Sequence, residues 1–149
     1  MPNRPLYTVG LNELSVVNRA IAQYQKLDVQ SRVAGSSPHE LIDMLFEGAL
    51  SRLKKAQGCL ARQDLEGRTK AVNDTVSILS GLEASLDHEK GGELADNLAA
   101  LYDYMQRRLF RATADNDHQG LEEVVDLIRT LHQAWQAIAP EVAVAEQGV

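Results

Sequence analysis

Apolar residues in this chain recur at steps of three and four, the spacing that places them on one face of an α-helix. Four such stretches follow one another between residues 38 and 139. Prolines occur only at positions 2, 5, 38 and 140, so none interrupts that region by removing a backbone donor. No alternating apolar and polar run of strand length is present. The pattern predicts an all-α protein.

The first helix has the clearest start signal. Ser37 precedes Pro38, and Glu40 follows the serine by three residues, which is the arrangement of an N-terminal capping box. We expect the Ser37 hydroxyl to accept a first-turn amide and Glu40 to reach back to the cap. The first helix is predicted over residues 38–62.

The remaining helices are predicted from their apolar stripes and from the turn signals between them. A turn at Gln63 and Asp64, with Asp64 as N-cap, leads into a second helix over about 65–87. A glycine-rich turn over 87–92 precedes a third helix that carries Leu94 to Ala112. A polar break over 115–117 precedes a fourth helix that ends before Pro140.

Four helices of about 20 residues with short connections must run antiparallel to their sequence neighbours. Burying the four stripes together gives an antiparallel up-down-up-down four-helix bundle over residues 37–139. Residues 1–36 form an N-terminal extension in which 12–28 carry a helical pattern, and we predict a short N-terminal capping helix there. Residues 140–149 are predicted to be a flexible tail.

The composition narrows the function. A chain of 149 residues with a net charge of −6 fits one soluble domain whose field repels nucleic acid and anionic membrane surfaces. The apolar runs are far shorter than the roughly 20 residues that span a bilayer, and no signal peptide is apparent. Cys59 is the single thiol, and its place among apolar positions predicts a small buried residue. We therefore expect a cytosolic protein with no membrane insertion and no nucleic-acid partner.

The histidines do not form a metal motif. A di-iron bundle needs Glu-x-x-His pairs, but the residues three positions before the four histidines are Ser36, Ser85, Asp115 and Arg129. His39, His88 and His118 fall at helix starts or in a turn and are predicted to be surface residues, and His132 to be a helix-face residue. Phosphate-binding glycine loops, nucleophile elbows and paired cysteines are also absent from the sequence. The sequence predicts no metal, no cofactor and no enzyme.

Apolar side chains remain in excess after one stripe per helix has been counted. One interpretation is a broad stripe that faces two neighbouring helices, and the other is an exposed groove that accepts an amphipathic helix from a partner. Both stay open at this point. The candidate groove residues are Ile78, Leu82, Leu94, Leu98, Leu101, Tyr102 and Met105.

Six short blocks of the chain match a known family in their order and spacing. They are Ser37–Leu41, Met44–Leu50, Leu82–Asp87, Gly91–Leu98, Leu101–Met105 and Ala134–Trp135. With these blocks the chain resembles the flagellar secretion chaperone family FliS. Two features depart from the family pattern, because Phe46 stands where a tyrosine is usual and the extension before Ile21 is longer.

The resemblance implies a cytosolic export chaperone that binds the disordered C-terminal segment of flagellin. It would prevent premature polymerisation and aid type III flagellar secretion, without a nucleotide. It further implies that the segment carrying Ile21 and Tyr24 covers apolar surface in the free protein and moves when flagellin arrives, although ordinary packing is the other interpretation of these two residues. The alternative function is a helical binding module that regulates another flagellar component, such as an anti-sigma factor or an export-gate protein.

Overall fold

The computed structural model of the chain describes residues 6–7 and 37–138. This part contains four helices and no strand: α1 is Pro38–Ala61, α2 is Leu65–Ala84, α3 is His88–Asp115 and α4 is His118–Ala137. The all-α prediction is confirmed for these residues, and none of their helices combines the length and apolarity needed to cross a membrane. The predicted capping helix and the predicted tail over 140–149 lie outside the described residues.

Each helix begins at a side chain that caps its first turn. The Ser37 hydroxyl accepts the Glu40 amide at 3.2 Å, as the sequence predicts. The Glu40 carboxylate, however, accepts the Ser37 hydroxyl at 3.3 Å instead of the backbone amide expected for a capping box. Asp64, Asp87 and Asp117 cap α2, α3 and α4 in the same way, each by accepting an amide from the first turn.

The connection between α2 and α3 differs from the prediction. The second helix ends at Ala84 and the third begins at His88, ahead of the paired glycines. The physical reason is that Asp87 caps the Lys90 amide at 2.9 Å and starts the helix ahead of them. Gly92 then adopts φ 57° and ψ −134°, a non-helical conformation open to glycine, so the helical backbone is interrupted there and resumes beyond it, in keeping with the helix stop that the paired glycines predict.

The four helices pack in a ring, in which α1 and α3 each contact both α2 and α4. Contacts between helix ends show that neighbours run antiparallel. Asp43 near the start of α1 bonds His132 near the end of α4, and Arg68 near the start of α2 bonds Asn116 just after α3. The core fills the centre of this helical bundle and includes Cys59, as predicted.

Candidate partner-binding surface

An N-terminal dipeptide is docked at one end of the bundle. The Leu6 carbonyl accepts the Asp87 amide at 2.9 Å, and Tyr7 forms an isolated antiparallel bridge with Leu86. Leu6 also lies close against the first turn of α3, where a Cβ added to Gly91 would sit 3.1 Å from its side chain. The dipeptide is therefore held by backbone hydrogen bonding at the connection between α2 and α3.

The Tyr7 side chain fills an aromatic pocket, defined here by Tyr102 of α3, Trp135 of α4 and His39 of α1. Its hydroxyl shares a hydrogen bond with the Tyr102 hydroxyl, and its ring meets the Trp135 ring edge-on with centroids 5.3 Å apart. The Trp135 indole N–H donates to the His39 carbonyl at 3.0 Å, and the two rings stack 4.3 Å apart. Residues of α3 and α4 thus contact Tyr7 directly, and His39 of α1 supports Trp135 by stacking on its ring.

The aromatic pocket is electrically neutral near pH 7. Burial raises the pKa of the Tyr102 hydroxyl well above its ordinary value, and the neighbouring Tyr7 raises it further. Burial also lowers the pKa of the His39 imidazole, against the opposing effect of the Asp43 and Glu40 carboxylates. A neutral, largely aromatic pocket favours an apolar or aromatic occupant over a charged one.

The burial of His39 corrects a sequence prediction. A histidine in the first turn of a helix is expected at the surface, yet this one is 6 % exposed because that turn packs against Trp135. His88 and His118 are exposed as predicted. His132 is a partly buried helix-face residue that bonds Asp43 at 2.7 Å across the α1 and α4 interface.

A row of incompletely covered apolar side chains runs along α3 and α4. Leu94 is 59 % exposed, and Leu98 and Leu101 share its helix face and are partly buried against the core. On α4, Leu127 and Leu131 are partly buried on one face, which Ile138 extends at the helix end. We define the α3–α4 strip as Leu94, Leu98, Leu101, Leu127, Leu131 and Ile138.

The two rows of the strip lie along the contact between α3 and α4. Tyr104 and Arg108 of α3 both bond Glu123 of α4, the arginine at 2.9 Å. These two bonds lower the pKa of the Glu123 carboxyl, the tyrosine bond contributing most. Glu123 lies four and eight residues before Leu127 and Leu131, so these leucines lie on the face of α4 that points toward α3.

The strip ends next to the aromatic pocket. Leu94 follows the Gly92 kink by two residues, close to where Leu6 docks, and Ile138 follows Trp135 by three residues. The dipeptide therefore docks at the end of the bundle where the strip ends.

The structure divides the predicted groove residues into two groups. Leu94, Leu98 and Leu101 come together at the surface in the α3–α4 strip. Four others are fully buried in the core, namely Ile78, Leu82, Tyr102 and Met105. Among these, Tyr102 lies directly beneath Tyr7. Ile21 and Tyr24 lie outside the described residues.

A second exposed apolar surface lies at the opposite end of the bundle. Leu65 of α2 and Phe110 of α3 are each more than half exposed, and they border a groove of about 330 Å³ whose floor includes Val72. Neither Leu65 nor Phe110 is among the groove residues predicted from the sequence. The available signal was that Leu65 directly follows its N-cap and that Phe110 falls outside the α3 stripe.

Comparison with known proteins places the whole bundle in one group. A family model described as "Flagellar protein FliS" matches residues 20–142. The Flagellar secretion chaperone FliS of Salmonella typhimurium is 44 % identical over 127 residues, which are 85 % of this chain and 94 % of that protein. Flagellar secretion chaperone FliSB of Pseudomonas aeruginosa is 37 % identical over 121 residues, 81 % of this chain and 96 % of that protein. The FliS protein of Escherichia coli is 39 % identical over 114 residues, 76 % of this chain and 84 % of that protein.

Proposed function

Because this chain belongs to the FliS family, we propose that it is a cytosolic export chaperone that binds the disordered C-terminal segment of flagellin. Binding would prevent premature polymerisation and aid type III flagellar secretion. The support from relatives is that those of Salmonella typhimurium and Pseudomonas aeruginosa are named flagellar secretion chaperones. In this proposal the protein acts by binding alone, without catalysis or a cofactor. Its up-down-up-down bundle carries a capping helix within residues 1–36.

The α3–α4 strip is the observation that carries this proposal. An amphipathic helix from a partner buries its apolar face in a groove through anchors spaced three and four residues apart. Leu94 and Ile138 are 59 % and 40 % exposed, so each still has about half of its side chain to bury. Fully burying such a side chain contributes about 1.5–3 kcal/mol, which gives about 1 kcal/mol for each of these residues.

A disordered partner requires more surface than one strip provides. Ordering a flexible segment costs several kcal/mol of conformational free energy, so such segments bind along long interfaces. In our proposal the N-terminal segment vacates the aromatic pocket when flagellin arrives, and the strip then continues over Tyr102 and Trp135. We propose that the part of the segment carrying Ile21 and Tyr24, which precedes α1 in the sequence, moves with it.

The partner and its binding segment are tested together by calorimetry. The full chain is titrated with full-length flagellin and with flagellin that lacks its C-terminal segment. We expect a complex with the first protein and none with the second. Equal binding of both would overturn the C-terminal assignment, and binding of neither would overturn flagellin as the partner and favour a regulatory or export-gate component.

The position of the site is tested with two matched leucines. Leu94 and Leu65 are 59 % and 58 % exposed at opposite ends of the bundle, so a lysine should be tolerated equally well at both. We expect Leu94→Lys to weaken flagellin binding about fivefold, since a loss of about 1 kcal/mol corresponds to that factor, and Leu65→Lys to bind like wild type. The reverse result would move the site to the surface around Phe110. Unchanged affinity in folded Ile21→Lys and Tyr24→Lys variants would remove that segment from the mechanism.

A further inference from the structure

A cluster of three metal-ligating side chains lies between α1 and α4, on the α1 side of α4. Asp43 and Glu47 are four residues apart on α1 and therefore share a face, and His132 reaches them from α4. One ligand atom from each residue lies within 4.8 Å of the other two. One of these distances, from His132 Nε2 to Asp43 Oδ1, is 2.7 Å.

The donor set is that of an open zinc site. Zinc takes imidazole nitrogen and carboxylate oxygen at about 2.0–2.2 Å, with three protein ligands and a water where the site is open. Ligands of a tetrahedral ion with such bonds lie about 3.4 Å apart, so small side-chain rotations bring the three atoms into range. Magnesium and calcium prefer oxygen ligands alone, which makes the imidazole a poor fit for them.

The surroundings of the cluster suit a bound cation. The side chains of His132 and Asp43 are 14 % and 20 % exposed, so the site is open to entry yet largely shielded from solvent. The His132 ring also packs against Phe46 with centroids 5.9 Å apart, which restricts its orientation.

A comparison within the molecule shows what distinguishes this cluster from an ordinary ion pair. His88 and Asp96 also approach to 2.7 Å, but both are exposed, and no third ligand completes a group with them among residues 6–7 and 37–138. The third ligand, Glu47, and the partial burial set the α1 and α4 cluster apart.

We propose that Asp43, Glu47 and His132 bind a divalent transition-metal ion of the Zn²⁺ class and thereby tie α1 to α4. This departs from the sequence prediction of no metal. That prediction rests on the absence of Glu-x-x-His pairs, which lie within single helices, whereas these ligands come from two helices, and Asp43 and His132 are 89 residues apart in the sequence. The proposal is independent of the flagellin-binding function.

The test is calorimetric titration of the untagged full chain, stripped of metal with EDTA and desalted, with ZnCl₂ and separately with MgCl₂. We expect one saturable Zn²⁺ site per chain, no comparable Mg²⁺ binding and a higher unfolding temperature with Zn²⁺. Glu47→Gln and His132→Gln should each weaken Zn²⁺ binding at least about tenfold. Mutating a residue that only supports a ligand typically lowers metal affinity by about 10-fold to 100-fold, and losing the ligand itself should lower it by no less. His88→Ala is the matched control and should bind Zn²⁺ like wild type.

Three results would overturn the site. They are no saturable Zn²⁺ binding to the wild-type chain, equal Zn²⁺ affinity in wild type and Glu47→Gln, and loss of Zn²⁺ binding in His88→Ala. Circular dichroism establishes that each variant is folded. Should His132→Gln unfold, Glu47→Gln decides the question alone, since it keeps the size and shape of the side chain and changes only its charge and donor strength.

Discussion

Replacing Tyr7 with phenylalanine removes one hydroxyl and leaves the ring in the aromatic pocket. The Tyr102 hydroxyl is fully buried, and Tyr7 is its hydrogen-bond partner within the described part of the chain. Leaving a buried hydroxyl without a partner costs about 1–3 kcal/mol. We therefore expect Tyr7→Phe to lower the free energy of unfolding by that amount, which corresponds to a fall of about 3–10 °C in unfolding temperature for a chain of this size.

The double variant separates this effect from a simple loss of stability. Tyr7→Phe combined with Tyr102→Phe replaces both partners by apolar rings of the same shape, a change that is nearly neutral when no polar group is left unpaired. The two substitutions should therefore be coupled by about 1 kcal/mol or more. Urea unfolding followed by circular dichroism measures this coupling, and the fluorescence of Trp135, the only tryptophan, reports on the pocket itself.

Additive free energies would refute this reasoning. A coupling energy below about 0.5 kcal/mol is what independent sites give, and it would mean that the two hydroxyls do not meet in solution. Tyr104→Phe is the control, since it also removes a hydroxyl that bonds a side chain, here Glu123, but at an exposed position where water replaces the partner. We expect little change in the free energy of unfolding from that substitution.

Two further predictions concern the backbone of α3 and the protonation of the aromatic pocket. Gly92→Ala forces a side chain into a conformation that only glycine adopts freely and should lower the free energy of unfolding by about 1–3 kcal/mol. Gly58→Ala, within α1, should raise it by up to about 1 kcal/mol. Thermal unfolding of the two variants should therefore show opposite changes in stability. Burial lowers the pKa of His39 below its ordinary 6.5, so the folded state binds this proton less readily than the unfolded state. The contribution of His39 to the free energy of unfolding is therefore present above pH 6.5 and is lost as the pH falls through the folded-state pKa. A fluorescence titration of Trp135 should show a midpoint below pH 6.5 that is missing in His39→Gln, and a midpoint above 6.5 would contradict the assignment.

Local signals in the sequence were sufficient for most helix boundaries. The start of α1 depends on Ser37 and Pro38, which act within a single turn and are visible without the rest of the fold. The end of α2 was misplaced because Leu86 continues the apolar spacing of that helix. Leu86 is instead buried by pairing with Tyr7, a contact between residues far apart in sequence.

The candidate surface was harder to predict because spacing gives the face of a helix but not what covers it. Leu94 and Met105 are eleven residues apart and share a face of α3, yet one is 59 % exposed and the other is fully buried. Their exposure differs because Leu94 lies near the start of α3, at the end of the bundle, whereas Met105 lies further along the helix. The aromatic pocket depends on Tyr7 and Tyr102, 95 residues apart, a pairing that no local pattern indicates.

Occupation of the aromatic pocket by the chain's own Tyr7 has a quantitative consequence for a chaperone that must also release its cargo. If the proposed partner flagellin needs the pocket, docking of the N-terminal segment reduces its apparent affinity. The hydroxyl pair of Tyr7 and Tyr102, at about 1–3 kcal/mol, would account for about a 5-fold to 150-fold part of that reduction. Docking of the N-terminal segment and flagellin binding weaken each other equally. The docking free energy that Tyr7→Phe loses should therefore reappear as an equal gain in the free energy of flagellin binding by that variant. Agreement between the two values would establish competition for one pocket. A loss of stability without a gain in affinity would place flagellin on the α3–α4 strip alone, with Tyr7 remaining in place while the cargo is bound.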